Sequence, residues 1–220
     1  MTKYGKREDY FYDGTHYISK GAFYKNRSFL IYPTWEEINR NILIPGDRWH
    51  PFCPASQAPE DLTLIWENDL IAKKTITYPE SALDQYHVLL AKELYNRISS
   101  KTTVMDLKSF YRKNDFQVGE ALCITVLDYT MGIYRIEAAP KQEYGDNEAD
   151  LWLSRMESAM GRVISLYGDR LILPLQFDWA YFMGGQKLMS RPAANIRHFL
   201  QRTTRFSLTQ DEGIYFLTKK

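Results

Sequence analysis

Two runs of β-branched residues, 121–127 and 133–138, constrain the fold more than any other feature of the sequence. The five residues between them include Gly132. Runs of this kind, joined by a short segment that contains glycine, are typical of antiparallel hairpins. A second pair, 206–208 and 214–217, predicts a closing hairpin for the same reason. Antiparallel sheet is therefore expected to be a main component of the fold.

Three long segments carry a helical pattern. In 81–98, apolar residues recur every three or four positions, which predicts one apolar helix face. A similar pattern covers 147–168, where Gly168 is suited to end a helix. The third helix is predicted over 191–203, with Pro192 near its start. Helices therefore account for much of the chain between the strands.

Shorter elements are predicted elsewhere. A short helix should follow Thr34, because Thr34 and Glu37 have the spacing of a capping box. Another short helix is predicted over 105–112. Single strands are predicted at 28–32, 41–44, 62–66 and 73–78, the last two joined by a polar turn at 67–69. In 171–185, Pro174 excludes a central paired strand, so this segment is expected to be a pocket-lining loop or a buried crossover.

Strands and helices do not alternate regularly, which argues against a doubly wound parallel sheet. We expect an α+β fold, with a mostly antiparallel sheet or small barrel-like sheets and about three main helices. The expected organisation is a single compact domain, 1–220, in which 1–15 forms a flexible arm. The alternative is two intertwined halves, about 28–100 and 101–220.

The alternative with two halves comes from a short internal echo. Residues 41–47 and 114–120 each begin with asparagine and end with glycine followed by an acidic residue. Each follows a predicted helix and precedes a predicted pair of strands. Because the two segments match at only a few positions, the similarity fits either a true internal repeat or a coincidence.

Composition limits the compartment and the partners. The chain has 28 Lys and Arg against 27 Asp and Glu, so affinity for a polyanion must come from a local patch. Two cysteines do not make a disulfide framework, and no stretch has the roughly 18 apolar residues of a membrane span. The charged residues 1–12 lack the apolar core of a signal peptide. We therefore expect a cytoplasmic protein without a membrane partner.

The N-terminal segment 1–27 mixes aromatic and basic residues, with Tyr10, Tyr12 and Tyr17 among the aromatic ones. These rings can pack on the body of the protein. Alternatively they form a stacking surface, since bases stack on aromatic faces while cations hold phosphates.

The common catalytic motifs are absent: the sequence has no phosphate loop, dinucleotide fingerprint or nucleophile elbow. His50 and Cys53, three residues apart in a proline-rich loop, are the best candidates for metal ligands. Zinc needs about four ligands, and no second pair of this kind occurs, so we expect no metal and no cofactor. His50 and Asp47 are also candidate catalytic residues of a hydrolase. Its pocket would lie between 47–53 and 171–185.

The most informative feature for function is electrostatic. Residues 179–210 contain no Asp or Glu. The cationic or titratable side chains in this interval are Lys187, Arg191, Arg197, His198, Arg202 and Arg205. On the predicted helix, several of them would share one basic face, which is what phosphate binding requires. The alternative is an ordinary solvated face, with acidic partners supplied by other parts of the chain.

The sequence therefore predicts an intracellular binding or regulatory module more than an enzyme. Its partner would be a nucleic acid or an acidic protein surface, bound through the basic helix. The hydrolase with a pocket near 47–53 is one alternative, and a structural subunit of a larger assembly is another.

Overall fold

The computed structural model describes residues 10–45, 48–54, 57, 61–77, 101–140, 148–168, 171–193, 196–211 and 213–220. The strands are β1 (Tyr10–Tyr12), β2 (Tyr17–Ser19), β3 (Ser28–Ile31), β4 (Ile42–Leu43), β5 (Thr63–Trp66), β6 (Asp69–Leu70), β7 (Lys73–Thr77), β8 (Lys101–Asp106), β9 (Leu122–Asp128), β10 (Ile133–Ala138), β11 (Phe206–Asp211) and β12 (Ile214–Lys219). The α-helices are α1 (Lys20–Tyr24), α2 (Trp35–Asn39), α3 (Lys108–Lys113), α4 (Glu148–Tyr167), α5 (Leu173–Met189) and α6 (Ile196–Arg202). A short 3₁₀ helix covers His50–Phe52.

The strands form four sheets. The largest has the order β3-β9-β10-β5-β6, and a three-stranded sheet has the order β4-β8-β7. The hairpins β1-β2 and β11-β12 stand as separate two-stranded sheets. Within the described ranges, β5 and β10 pair in parallel and the other strand pairs are antiparallel. The α+β class is confirmed, whereas the expectation of about three helices is wrong, because the described residues alone form six.

Both predicted hairpins are confirmed. In β9-β10, Ile136 pairs with Ile124 and Tyr134 with Val126, and all four side chains are buried. The hairpin lies in the middle of the largest sheet, and its alternating residues supply the main core. The closing hairpin β11-β12 is longer than predicted and runs to Lys219.

Helix α4 has the apolar face that the sequence predicts. Trp152, Met156 and Met160 on this face are buried, and α4 packs along α5. The helix ends at Tyr167, where Gly168 takes a φ of +62°. Glycine adopts this left-handed conformation without steric strain, which explains why the helix stops there.

The described sheets include no strand from 171–185, as Pro174 predicts, but the expected loop is wrong, because most of this segment is the helix α5. Pro174 lies in the first turn. A helix needs no N–H donor from its first turn, so proline is tolerated there. The helix bends at Gly185, where φ is +55° and ψ is −153°. Pro174 and Gly185 suggested a segment without regular structure. In the structure Pro174 lies at the start of a helix and Gly185 at its kink.

The strands at 62–66 and 73–78 do not pair with each other as consecutive strands of one hairpin. After Glu67, which has a φ of +56°, the chain folds back so that β6 pairs with β5. It then enters the second sheet, where β7 pairs with β8. The predicted turn exists, but it joins β5 to β6.

Two predicted helices begin later than expected. Met105 and Asp106 belong to β8, which pairs with β4 and β7, so α3 starts only at Lys108. Ala193 forms a parallel bridge with Ile31, and its N–H donates to the Leu30 carbonyl at 3.0 Å. Sheet hydrogen bonds thus override helical propensity at both places. The helix predicted over 81–98 lies outside the described residues.

The predicted capping box at α2 is confirmed and has a larger role than capping. The fully buried Glu37 carboxylate accepts hydrogen bonds from the Thr34 N–H at 2.7 Å and the Ile44 N–H at 2.9 Å. It also accepts a hydrogen bond from an Arg48 guanidinium nitrogen at 2.8 Å. One side chain therefore ties α2 to β4 and to the segment before the 3₁₀ helix.

Replacing Glu37 by glutamine should destabilise the protein strongly. Glu37→Gln leaves Arg48 without its carboxylate and removes an acceptor, and breaking a buried pair of this kind costs about 3 kcal/mol or more. Glu36→Gln is the matched control, because Glu36 forms only a half-exposed pair with Arg40 at 3.4 Å. This control should lose less than about 1 kcal/mol. Urea unfolding of both variants measures the difference, and equal losses would contradict the role of Glu37.

Candidate functional site

The structure disperses the predicted basic helix face. Arg191 lies in the turn after α5, where its N–H donates to the Leu188 carbonyl at 3.1 Å. Arg205 lies between α6 and β11. Only Arg197, His198 and Arg202 belong to α6, and the side chains of the first two lie outside what the structure describes.

The α6 residue Arg202 has a carboxylate partner from another element. Its guanidinium lies 2.8 Å from the Asp150 carboxylate in the first turn of α4. For Arg202, therefore, the structure has the acidic partner from another part of the chain that a solvated face would have. Lys187, in the last turn of α5, has an exposed side chain.

A groove of about 650 Å³ lies along the outer side of α4. Its lining combines cations, hydroxyl groups and apolar side chains: Ser158, Gly161, Arg162, Ser165, Leu166, Met183, Arg205 and Lys219. The α4 residues recur every three or four positions, which places them on one face, away from the buried face of the helix. The kink of α5, the strand β12 and the segment before β11 supply the rest.

The groove has three cations and no acidic lining residue. Within the described part of the chain, Arg162, Arg205 and Lys219 form no ion pair with a carboxylate. Arg162 donates to the Met183 carbonyl at 2.8 Å, and the Lys219 ammonium donates to the Ser165 hydroxyl at 2.8 Å. These partners are neutral, so they hold the cations in place without pairing their charge with any carboxylate of the described residues.

The third cation is positioned by aromatic contact and by a small neighbour. The Arg205 guanidinium lies 5.8 Å from the centre of the Phe206 ring. A Cβ atom at Gly161 would be 3.5 Å from an Arg205 nitrogen, an ordinary contact distance, so the guanidinium packs directly over α4 at this residue. The nearby Glu157 carboxylate accepts a hydrogen bond from the Thr203 hydroxyl at 2.6 Å.

Of these three cations, sequence reasoning identified Arg205 and missed the other two. Arg162 and Lys219 are far from the interval without acidic residues and come to the groove through the packing of α4 against β12. The detectable signal was the polar face of α4, on which Arg162 lies among serines.

A second group of charged side chains is buried between the N-terminal segment and α5. The Lys20 ammonium lies 2.7 Å from one Asp178 carboxylate oxygen, and the His50 ring nitrogen Nδ1 lies 3.8 Å from the other. Each side chain is at least nine-tenths buried. The structure therefore brings candidate residue His50 against the segment 171–185, as the hydrolase hypothesis requires. Asp47 lies outside the described residues.

Cys53 has different neighbours from His50. The Tyr134 hydroxyl lies 3.3 Å from the Cys53 sulfur and donates to the Phe52 carbonyl at 2.9 Å. Burial raises the pKa of Tyr134 well above its ordinary value, so the hydroxyl keeps its proton. Among the described residues, no group of three or more His, Cys, Asp or Glu side chains could hold a metal ion.

Comparisons with protein-family models, with curated proteins and with solved structures gave no match for this chain. None of the helices in the described ranges is both long enough and apolar enough to cross a membrane. The groove and the buried side chains of Lys20, Asp178 and His50 are therefore the features that bear on function.

The buried pair should show strong energetic coupling. Asp178→Asn leaves the Lys20 ammonium buried without its carboxylate, which should lower the free energy of unfolding by about 3 kcal/mol or more. Lys20→Met in the same chain removes that charge. The double variant should therefore lose less than the sum of the two single variants. Urea unfolding of the four proteins measures the coupling, and additive losses would show that the pair does not interact.

Proposed function

We propose that the protein is a binding module, without catalytic activity, whose groove along α4 takes a phosphate-bearing or acidic partner. One observation carries the proposal: Arg162, Arg205 and Lys219 line an open groove that has no acidic lining residue. None of the three is neutralised by a carboxylate from the described residues. The partner is thus expected to supply the negative charge.

The groove also provides a neutral hydroxyl group and apolar contact. Ser158 supplies the hydroxyl, because that of Ser165 already donates to the Gly161 carbonyl at 2.8 Å, and Leu166 and Met183 add apolar surface. Anion sites commonly combine cations with hydroxyl donors, because the hydroxyls orient the oxygens that the cations attract. Since the whole chain has a net charge of only +1, the attraction is local to this surface.

The proposed surface differs from the predicted basic helix. Of the residues predicted to bind, Arg205 lines the groove, whereas Arg202 is paired with Asp150. Arg191, Arg197, His198 and Lys187 remain hypotheses as binding residues. We also propose a cytoplasmic location, which is supported by the free thiols of both cysteines.

Two other functions remain hypotheses. The contact of His50 with Asp178 is the observation that supports a hydrolase. That carboxylate already holds Lys20, and all three side chains are buried, which supports a structural role more than catalysis. Exposed apolar side chains such as Trp35 and Leu70 are compatible with a subunit of a larger assembly, although single residues of this kind are also common on monomers.

The groove is tested with a polymer that carries phosphates but no bases. We expect a short fluorescent abasic phosphodiester to bind with a salt slope of about −2 in log K against log salt, since each single-strand phosphate contributes about −0.7. The triple variant Arg162→Gln, Arg205→Gln, Lys219→Gln should bind at least about tenfold more weakly in fluorescence anisotropy, because it removes these three contacts.

The matched control removes the same charge from another surface. Lys108, Arg112 and Lys113 are exposed on α3 and do not line the groove. Their replacement by glutamine should leave the affinity within about twofold, since α3 makes no contact with the polymer in this proposal. Equal weakening by both triple variants would contradict the proposal, as would no binding of the native protein at low salt.

A further inference from the structure

An exposed aromatic surface lies on the hairpin β1-β2. Side chains alternate between two faces of a strand, and in β1 Phe11 is fully buried between the exposed rings of Tyr10 and Tyr12. Across the hairpin, Tyr12 pairs with Tyr17, which is 73% exposed. The outer face of the hairpin therefore presents three tyrosine rings to solvent.

The rings of Tyr12 and Tyr17 contact each other within the hairpin, and the hairpin is anchored to the body of the protein by Phe11. The Tyr12 hydroxyl donates to the Gly14 carbonyl at 2.9 Å, and the rings of Tyr12 and Tyr17 lie 4.9 Å apart with a tilt of 34°. On the inner face, Phe11 stacks on Phe182 of α5 at 4.3 Å. Rings that are already ordered lose little conformational freedom when a planar ligand stacks on them.

The aromatic surface and the groove adjoin at the last turn of α4. The Tyr167 hydroxyl donates to the Tyr12 carbonyl at 3.3 Å, and the preceding residue, Leu166, lines the groove. On α5, Phe182 holds the hairpin, and the next residue, Met183, lines the groove. The groove and the hairpin thus rest on the same turns of α4 and α5, and a polymer in the groove reaches the tyrosine rings by extending past the end of α4.

We propose that the partner of the groove is a single-stranded nucleic acid, whose phosphates meet the three cations while its bases stack on Tyr12 and Tyr17. This inference rests on the function proposed for the groove. A single strand alternates phosphates with planar bases whose faces are free, which matches both halves of the surface. A duplex hides its base faces, and an acidic peptide supplies charge without planar bases for the tyrosines.

The experiment compares four probes of equal length: a single-stranded oligothymidylate, the abasic polymer, a duplex and poly-glutamate. Native protein should bind the oligothymidylate about tenfold or more tightly than the abasic polymer, since each stacked base adds favourable free energy. Tyr12→Leu with Tyr17→Leu should reduce the affinity for oligothymidylate to that for the abasic polymer, whose own affinity stays unchanged. Tyr12→Phe with Tyr17→Phe keeps the rings and should restore binding to within about twofold of the native protein.

Each outcome separates the two proposals. Equal affinity for oligothymidylate and abasic polymer overturns the nucleic-acid inference and leaves the groove proposal standing. The same holds if the duplex binds more tightly than the single strand, or if poly-glutamate binds as tightly as oligothymidylate. Failure of the native protein to bind any of these polyanions overturns both proposals. Urea unfolding of the leucine and phenylalanine variants checks that they remain folded, so a loss of binding is attributable to the rings.

Discussion

The buried ion pair between Lys20 and Asp178 is the contact that sets where the tyrosine hairpin lies relative to α5. Lys20 begins α1 directly after the hairpin β1-β2, while Asp178 lies in α5. Burying both charges is costly unless they meet, so the pair fixes where the N-terminal segment sits on α5. His50, the first residue of the 3₁₀ helix, also contacts the Asp178 carboxylate, so this helix packs at the same place on α5. With this register set, Phe11 reaches Phe182, and the tyrosine face comes to lie beside the groove.

The kink in α5 lies where arginines of α4 donate hydrogen bonds to backbone carbonyls of α5. At Gly185 the backbone leaves helical geometry, so nearby carbonyl groups become available to side chains from α4. Arg162 donates to the Met183 carbonyl, and Arg155 donates to the Lys187 carbonyl on the other side of the kink. Carbonyl oxygens are neutral acceptors, so these arginines are anchored without losing their charge. A straight α5 would keep the Met183 carbonyl in its own hydrogen-bond ladder, whereas the Lys187 carbonyl lies in the last turn and has no partner in that ladder in either case.

Local sequence patterns predicted the elements whose determinants are local. Both predicted hairpins, the capping box at Thr34 and Glu37, and the helix α4 follow from nearby residues, and the structure has all of them. The failures involve distant partners or position within an element. Strand β5 pairs with β10, which is distant in sequence. Pro174 lies in the first turn of a helix, in a segment where a loop was expected. The candidate site follows the same rule: Arg205 was found from a local absence of acidic residues, whereas Arg162 and Lys219 needed the tertiary packing.

The distribution of charge gives the strongest physical reason to regard the groove as functional. The chain is almost neutral, and some of its exposed cations are paired with carboxylates, as Lys113 is with Glu67 and Arg202 with Asp150. The groove cations Arg162, Arg205 and Lys219 are held close to one another by neutral groups, although like charges repel. The repulsion among these charges opposes folding, and the hydrogen bonds to neutral groups do not remove it. It becomes favourable when an anion enters, and an anionic polymer that also stacks on the neighbouring tyrosines gains from both surfaces at once.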